Sequence, residues 1–203
     1  MTARPAGEHW NELYAEKPDD AVSWFQERPE PSLRLLRAAS RRPGSVIDVG
    51  GGRSGLAQGL IAAGWSDVTV LDVSAEALRG WEARADSAAV EFVQADIRTW
   101  QPDRARQLWH DRAVFHFLVD ADDRSAYVRA ATTGVAPGGA LVLGTFAPDG
   151  PDQCSGLPTA RYAAGELAEV FAGGFHLEAT EQHTHTTPWG TDQNFTWVVL
   201  RRS

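Results

Sequence analysis

The sequence predicts an α/β fold, a doubly wound sheet with helices on both faces. Three observations carry this. Short β-branched apolar runs alternate with helical segments at the spacing of βαβ units. The first run enters a glycine cluster, VIDVGGGRSG. The last two runs, residues 175–185 and 193–201, have no helix between them and read as an antiparallel hairpin joined by TTPWGT.

Each element has its own justification. Residues 1–44 form a polar and aromatic cover, broken by Pro18, Pro29 and Pro31, and residues 45–203 form the core of a single domain, 1–203. A short helix is expected around 9–16, then a loop carrying Trp24 and Phe25. EPSLRLLRAAS, 30–40, has an apolar side of Leu33, Leu35 and Leu36. SVIDVG is the first strand, and LAQGLIAAG, 56–64, is a helix capped by Gly64. SDVTVLDV, 66–73, is the second strand, and Ser74 suits the N-cap of a helix at 75–85. VEFVQAD, 90–96, is the third strand and ARQLWH, 105–110, a weaker fourth. A helix at about 121–135, a turn at Pro137-Gly138-Gly139 and the fifth strand, 140–146, follow. A Pro/Gly-rich loop, 147–160, and a last helix, 163–171, lead to the hairpin.

Composition narrows the class. A chain of 203 residues is one domain, and 43% hydrophobic with 23% charged residues is globular rather than disordered. The single cysteine, Cys154, excludes an internal disulfide and a cysteine-based zinc site. No apolar run reaches the roughly 18 residues of a membrane span, and MTARPAGEHW has no apolar signal core, so a cytoplasmic location is the expectation. A net charge of −8 disfavours nucleic acid and anionic membranes as partners.

The chemistry concentrates at the glycine turn. Gly50, Gly52 and Gly55 satisfy G-x-G-x-x-G at a strand-to-helix junction, where the backbone can approach a ligand. Asp72 ends the second strand 20 residues beyond Gly52, placed to accept from both ribose hydroxyls. The pattern therefore points to an adenosine-containing ligand, and a dinucleotide such as NAD is one candidate. Asp48 argues for another: a carboxylate there does nothing for a pyrophosphate but suits a positive amino group and a sulfonium. Asp96-Ile97, after the third strand, suits an adenine, with the acid taking the exocyclic N–H and the isoleucine packing on the ring.

Asp48-x-Gly50-x-Gly52, Asp72 and Asp96-Ile97 resemble the motifs of class I S-adenosylmethionine-dependent methyltransferases. Ser54 departs from that pattern, standing where the family often has a third glycine. The resemblance implies a seven-stranded sheet of order 3-2-1-4-5-7-6 with strand 7 antiparallel. It also implies S-adenosylmethionine as cofactor, S-adenosylhomocysteine as product, and cofactor contacts at Asp48, Gly50, Gly52, Asp72, Val73, Asp96, Ile97 and His110. HWNELY with Trp24-Phe25 is similar to the start of lysine methyltransferases of elongation factor 1A and citrate synthase, and of thiol and tellurite methyltransferases. That likeness carries cofactor contact to Trp10 and Tyr14, and aromatic cover to Trp24.

Methyl transfer from a sulfonium needs proximity, alignment and a dry pocket. The fourth strand ends at Trp109-His110-Asp111-Arg112, where an acceptor meets the methyl group, so His110 and Asp111 are the candidate proton acceptors. A structural Asp111–Arg112 ion pair is the competing reading. Phe25, Arg112, His116, Cys154 and Trp189 are candidates for the acceptor pocket, with Arg161 and Tyr162 as further anion-binding candidates. His183 and His185 share one strand face, but without an acidic partner no metal site is expected. A small-molecule acceptor leads, a protein lysine follows, and an NAD oxidoreductase or a non-catalytic cofactor-binding protein stands behind both.

Overall fold

A computed structural model describes residues 6–40, 42–82 and 89–203. The strands are β1 (Ser45–Val49), β2 (Asp67–Asp72), β3 (Val90–Gln94), β4 (Arg106–Arg112), β5 (Val135–Phe146), β6 (Phe175–Thr186) and β7 (Asp192–Arg202). They form one sheet of order β3-β2-β1-β4-β5-β7-β6. Every pairing from β3 to β5 is parallel, and β7 runs antiparallel to both β5 and β6. This is the order that the motif resemblance implies.

Helices α1 (Ala6–Glu16), α2 (Glu30–Ala39), α3 (Leu56–Ala62), α4 (Ala75–Glu82), α5 (Ala121–Gly134) and α6 (Ala164–Phe171) complete the fold. The expected end of the α4 segment, 83–85, lies outside the described residues. Two caps form as the sequence suggests. Ser74 accepts from the Ala77 N–H at 3.1 Å. Gly64, at φ +89, ends α3 in a Schellman arrangement, with Trp65 N–H on the Leu60 carbonyl and Gly64 N–H on that of Ile61.

Strand alternation sends neighbouring residues to opposite cores. Val46, Leu108, Val142 and Trp197 pack with α2 and α3, whereas Ile47, Trp109, Leu141 and Val198 pack with α5 and α6. One expectation needs correction. Pro137-Gly138-Gly139 belongs to the first half of β5 rather than preceding it. The ladder with β4 jumps from Arg106–Val135 to Leu108–Ala140, and Gly138 takes up the slack at φ +72. The loop after β5 folds into a two-residue ladder, Gln153–Cys154 against Leu157–Pro158. No described helix is long and apolar enough to cross a membrane.

Candidate active site

A cavity of about 350 Å³ crosses the C-terminal ends of the parallel strands. Asp72 contributes from β2, Gly50 from the turn after β1, Arg112 from β4 and Phe146 from β5. Phe195 joins them because β7 is antiparallel and its register sets Phe195 against Phe146. From β2 to β7 is four inter-strand steps, about 19 Å at roughly 4.8 Å each. The N-terminal segment covers this trough with Trp10, Tyr14 and Trp24. Trp10 packs edge-on against both Trp24 and Phe117, at 5.7 and 5.2 Å between ring centroids.

The cover is tied down by polar contacts. Asn11 Oδ1 accepts from the Ser74 hydroxyl at 2.8 Å and from the Glu76 N–H at 3.1 Å, joining α1 to the start of α4. Arg53 reaches from the glycine turn to Asp19 and lies 5.2 Å over the Tyr14 ring. Trp81 donates its indole N–H to the Gly52 carbonyl at 2.7 Å, holding the turn from behind.

The turn itself requires glycine. Gly50 and Gly52 have φ +66 and +50, and a Cβ on Gly52 would stand 2.3 Å from the Tyr14 hydroxyl. The Gly52 N–H donates to Asp72 Oδ2 at 3.0 Å, and the Ser74 N–H to Oδ1 at 2.8 Å. Burial nevertheless pushes Asp72 up to about 6, against the pull of those two N–H groups. A buried carboxylate that lines a cavity in this condition gains from further donors, such as a pair of ribose hydroxyls. Val73, Ile97 and Asp96 line the same end. Arg98 grips Asp96 through Nε and Nη2, the latter at 2.6 Å, which holds the carboxyl below its usual range despite burial. The residues present thus fit a nucleoside.

Several predicted roles change. Asp111 follows His110 on β4 and therefore points to the opposite core. It is fully buried and accepts from the Tyr127 hydroxyl at 2.7 Å and the Val114 N–H at 2.9 Å. It does not line the cavity, so the proton-acceptor role falls, and so does the ion pair with Arg112. His110 is equally occupied: Nδ1 meets Asp48 at 2.7 Å and Nε2 meets the Ser32 hydroxyl at 2.9 Å. With both nitrogens engaged, His110 offers no free base. It lines, with Asp48 and Phe25, a second cavity of about 270 Å³ beside the glycine turn.

His116 is also displaced from the acceptor wall. It is fully buried and stacked on Phe146 at 4.3 Å, with neither ring nitrogen hydrogen-bonded among the described residues. Burial, and then the Arg112 charge, pull it down to about 3. Tyr162 is core, tilted against Phe115, and Arg161 is exposed. Trp189 is 58% exposed at the hairpin tip and borders a side cavity with Cys154 and Trp24. His185 is buried and meets the Ser23 carbonyl at 2.7 Å. Among the described residues, no group of three His, Cys, Asp or Glu side chains is placed to hold a metal.

Sequence reasoning missed His9, Ser23, Arg98, Gln193 and Phe195 as cavity residues. Period two along β7 marks Gln193 and Phe195 as one face. Placing that face over the trough requires knowing that β7 lies against β5.

Comparison with known proteins points to the same family as the motifs. Residues 46–139 match the family model described as a methyltransferase domain. The chain has the fold of class I methyltransferases and is similar to a methyltransferase domain over residues 46–139. The domain is 31% identical over 137 residues to a trans-aconitate 2-methyltransferase of Rhodopseudomonas palustris, covering 66% of this chain and 50% of that one. It is 32% identical over 123 residues to a malonyl-[acyl-carrier protein] O-methyltransferase of Pseudescherichia vulneris, covering 60% and 46%. The chain spans about half the length of the curated relatives it matches. Among solved structures, the N-methyltransferase NodS from Bradyrhizobium japonicum, in complex with S-adenosylhomocysteine, superposes with TM-score 0.72 at 19% identity over 95% of this chain and 97% of that one. The Burkholderia thailandensis 1,6-didemethyltoxoflavin-N1-methyltransferase gives TM-score 0.72 at 18% identity over 100% and 93%. At those identities the likeness establishes the methyltransferase fold.

Proposed function

We propose that the chain transfers a methyl group from S-adenosylmethionine to a small-molecule acceptor. The observation that carries this is one trough, laid across the strand ends, that joins a desolvated acid, a glycine bend and an aromatic cover. When bound, S-adenosylmethionine supplies a methyl group on a positively charged sulfur, and the C–S bonding pair stays on sulfur as the acceptor's lone pair forms the new bond.

The chain's own residues do the rest. Asp72 accepts from the ribose hydroxyls, Asp96 and Ile97 hold the adenine edge and face, and Val73 lines the wall between them. Trp10, Tyr14 and Trp24 present ring faces to the cationic centre and keep water out, an attraction of roughly 0.5–2 kcal/mol each, rising with desolvation. Asp48, fixed by His110, sets the negative potential beside Gly50. Positioning dominates, and no side chain is asked to form a covalent bond. The cover of α1 over the trough favours a small acceptor over a protein lysine, and the curated relatives named for small acids point the same way.

Calorimetry with S-adenosylhomocysteine tests the reading. Wild type is expected to bind it, and Asp72→Ala to lose about 100-fold or more in affinity as two charge-assisted contacts vanish. No binding by the wild-type chain would end the proposal. Labelled methyl donor added to a cell lysate should mark small molecules; label confined to protein would move the acceptor to a lysine side chain.

A further inference from the structure

Arg112 is a half-buried cation without a counter-ion among the described residues. Nη1 donates to the Trp24 carbonyl at 2.9 Å, and Nη2 has no accessible surface and no hydrogen-bond partner among the described residues. The guanidinium lies 5.1 Å over the Phe195 ring, at the β7 end of the trough. Burial pulls Arg112 down to about 10, opposed by the fields of Cys154 and Asp48. Asp48 makes no ion pair with it, being held by His110. After burial, the same positive charge is the next cause that keeps His116, His183 and His185 below the usual imidazole range. A guanidinium left half-satisfied in a low-dielectric wall costs free energy unless an anion completes it.

Its place in the trough says which anion. Arg112 ends β4, two strands from Asp72, and its guanidinium stacks on Phe195 of β7, while its side chain also borders the second cavity, beside the glycine turn where Arg53 stands. The trough that Arg112 lines also carries Phe117, Phe146, Leu157 and Phe195, with Ser23, Cys154 and Gln193 among its polar groups. On the reading of the trough given above, we propose that Arg112 is the seat of a carboxylate on the methyl acceptor, and that the acceptor's body is apolar. A planar guanidinium matches a carboxylate through paired N–H donors. A tricarboxylate such as trans-aconitate would leave its remaining charges against aromatic walls.

The test uses the full chain saturated with S-adenosylhomocysteine, titrated by calorimetry with phenylacetate, its neutral isostere phenylacetamide, and trans-aconitate. Wild type is expected to bind phenylacetate about tenfold or more tighter than the amide, with trans-aconitate the weaker acid. Arg112→Met should erase the preference for carboxylate over amide, and Arg112→Lys should keep part of it. Both variants should hold S-adenosylhomocysteine as wild type does. Equal binding of acid and amide by wild type, or binding of neither, overturns the assignment; this comparison needs no variant, so a misfolded Arg112→Met leaves it intact. Variants that lose S-adenosylhomocysteine instead would assign Arg112 to the donor and also overturn it. Wild type that fails to bind S-adenosylhomocysteine at all would sink the methyltransferase reading first, and this assignment with it.

Discussion

Replacing Gly52 with alanine probes how closely the aromatic cover seats on the glycine turn. Two costs add at this position. Gly52 has φ +50, and a non-glycine residue in the left-handed region loses about 1–2 kcal/mol. The new Cβ would also stand 2.3 Å from the Tyr14 hydroxyl oxygen and 3.2 Å from Cζ. Relieving such overpacking costs about 1–3 kcal/mol. Gly52→Ala is therefore expected to destabilise by about 2–5 kcal/mol. In a Tyr14→Phe background the 2.3 Å clash is gone and the ring contact yields by a few tenths of an ångström. The cost should then fall to the backbone share, about 1–2 kcal/mol. Urea unfolding of the four chains gives the coupling directly, expected at about 1–3 kcal/mol in the rescuing direction. The entropy that alanine removes from the unfolded chain cancels in the cycle. Additivity within about 0.5 kcal/mol would show that Tyr14 does not close on the turn, and the cover as described would be wrong.

Other outcomes follow from the same contacts. Ser32→Ala strips the hydroxyl from His110 Nε2 in a buried site and should cost about 1–3 kcal/mol in urea unfolding; no loss would mean that the bond is not made in solution. His116→Phe should raise the melting temperature, since a ring with two unsatisfied nitrogens gives way to one with none. The sign with pH is definite: His116 is held down to about 3 folded but titrates near 6.5 unfolded, so its stabilising share is present above 6.5 and is lost as pH falls. The advantage of phenylalanine should therefore widen between pH 7.5 and 5, and a constant gap by calorimetric melting would contradict it. Asp72, pushed up to about 6, is ionised above that pH and protonated below it. Affinity for S-adenosylhomocysteine should drop severalfold from about pH 7.5 to 5 on this account, and Asp72→Asn should flatten that drop; an unchanged slope in the variant assigns the proton elsewhere.

Much of this protein was legible in its residues because the deciding forces are local. Strand and helix periods, the Ser74 cap and the Gly64 terminator act within a few residues, so the α/β alternation and closing hairpin follow from pattern alone. The same holds for the glycine bend and Asp72, since turn, strand end and helix start fall within one βαβ unit. Tertiary structure decided what pairs at a distance. His110 and Asp111 are adjacent in sequence, yet the pleat sends one to Ser32 and Asp48 and the other to Tyr127. Sequence spacing marks both as acids or bases at a strand end; only the packed layers on either face reveal that both are already bound. Arg112 is the converse. Nothing beside it in the chain marks a cation as unpaired, because that depends on which walls β5, β7 and the N-terminal cover bring around it.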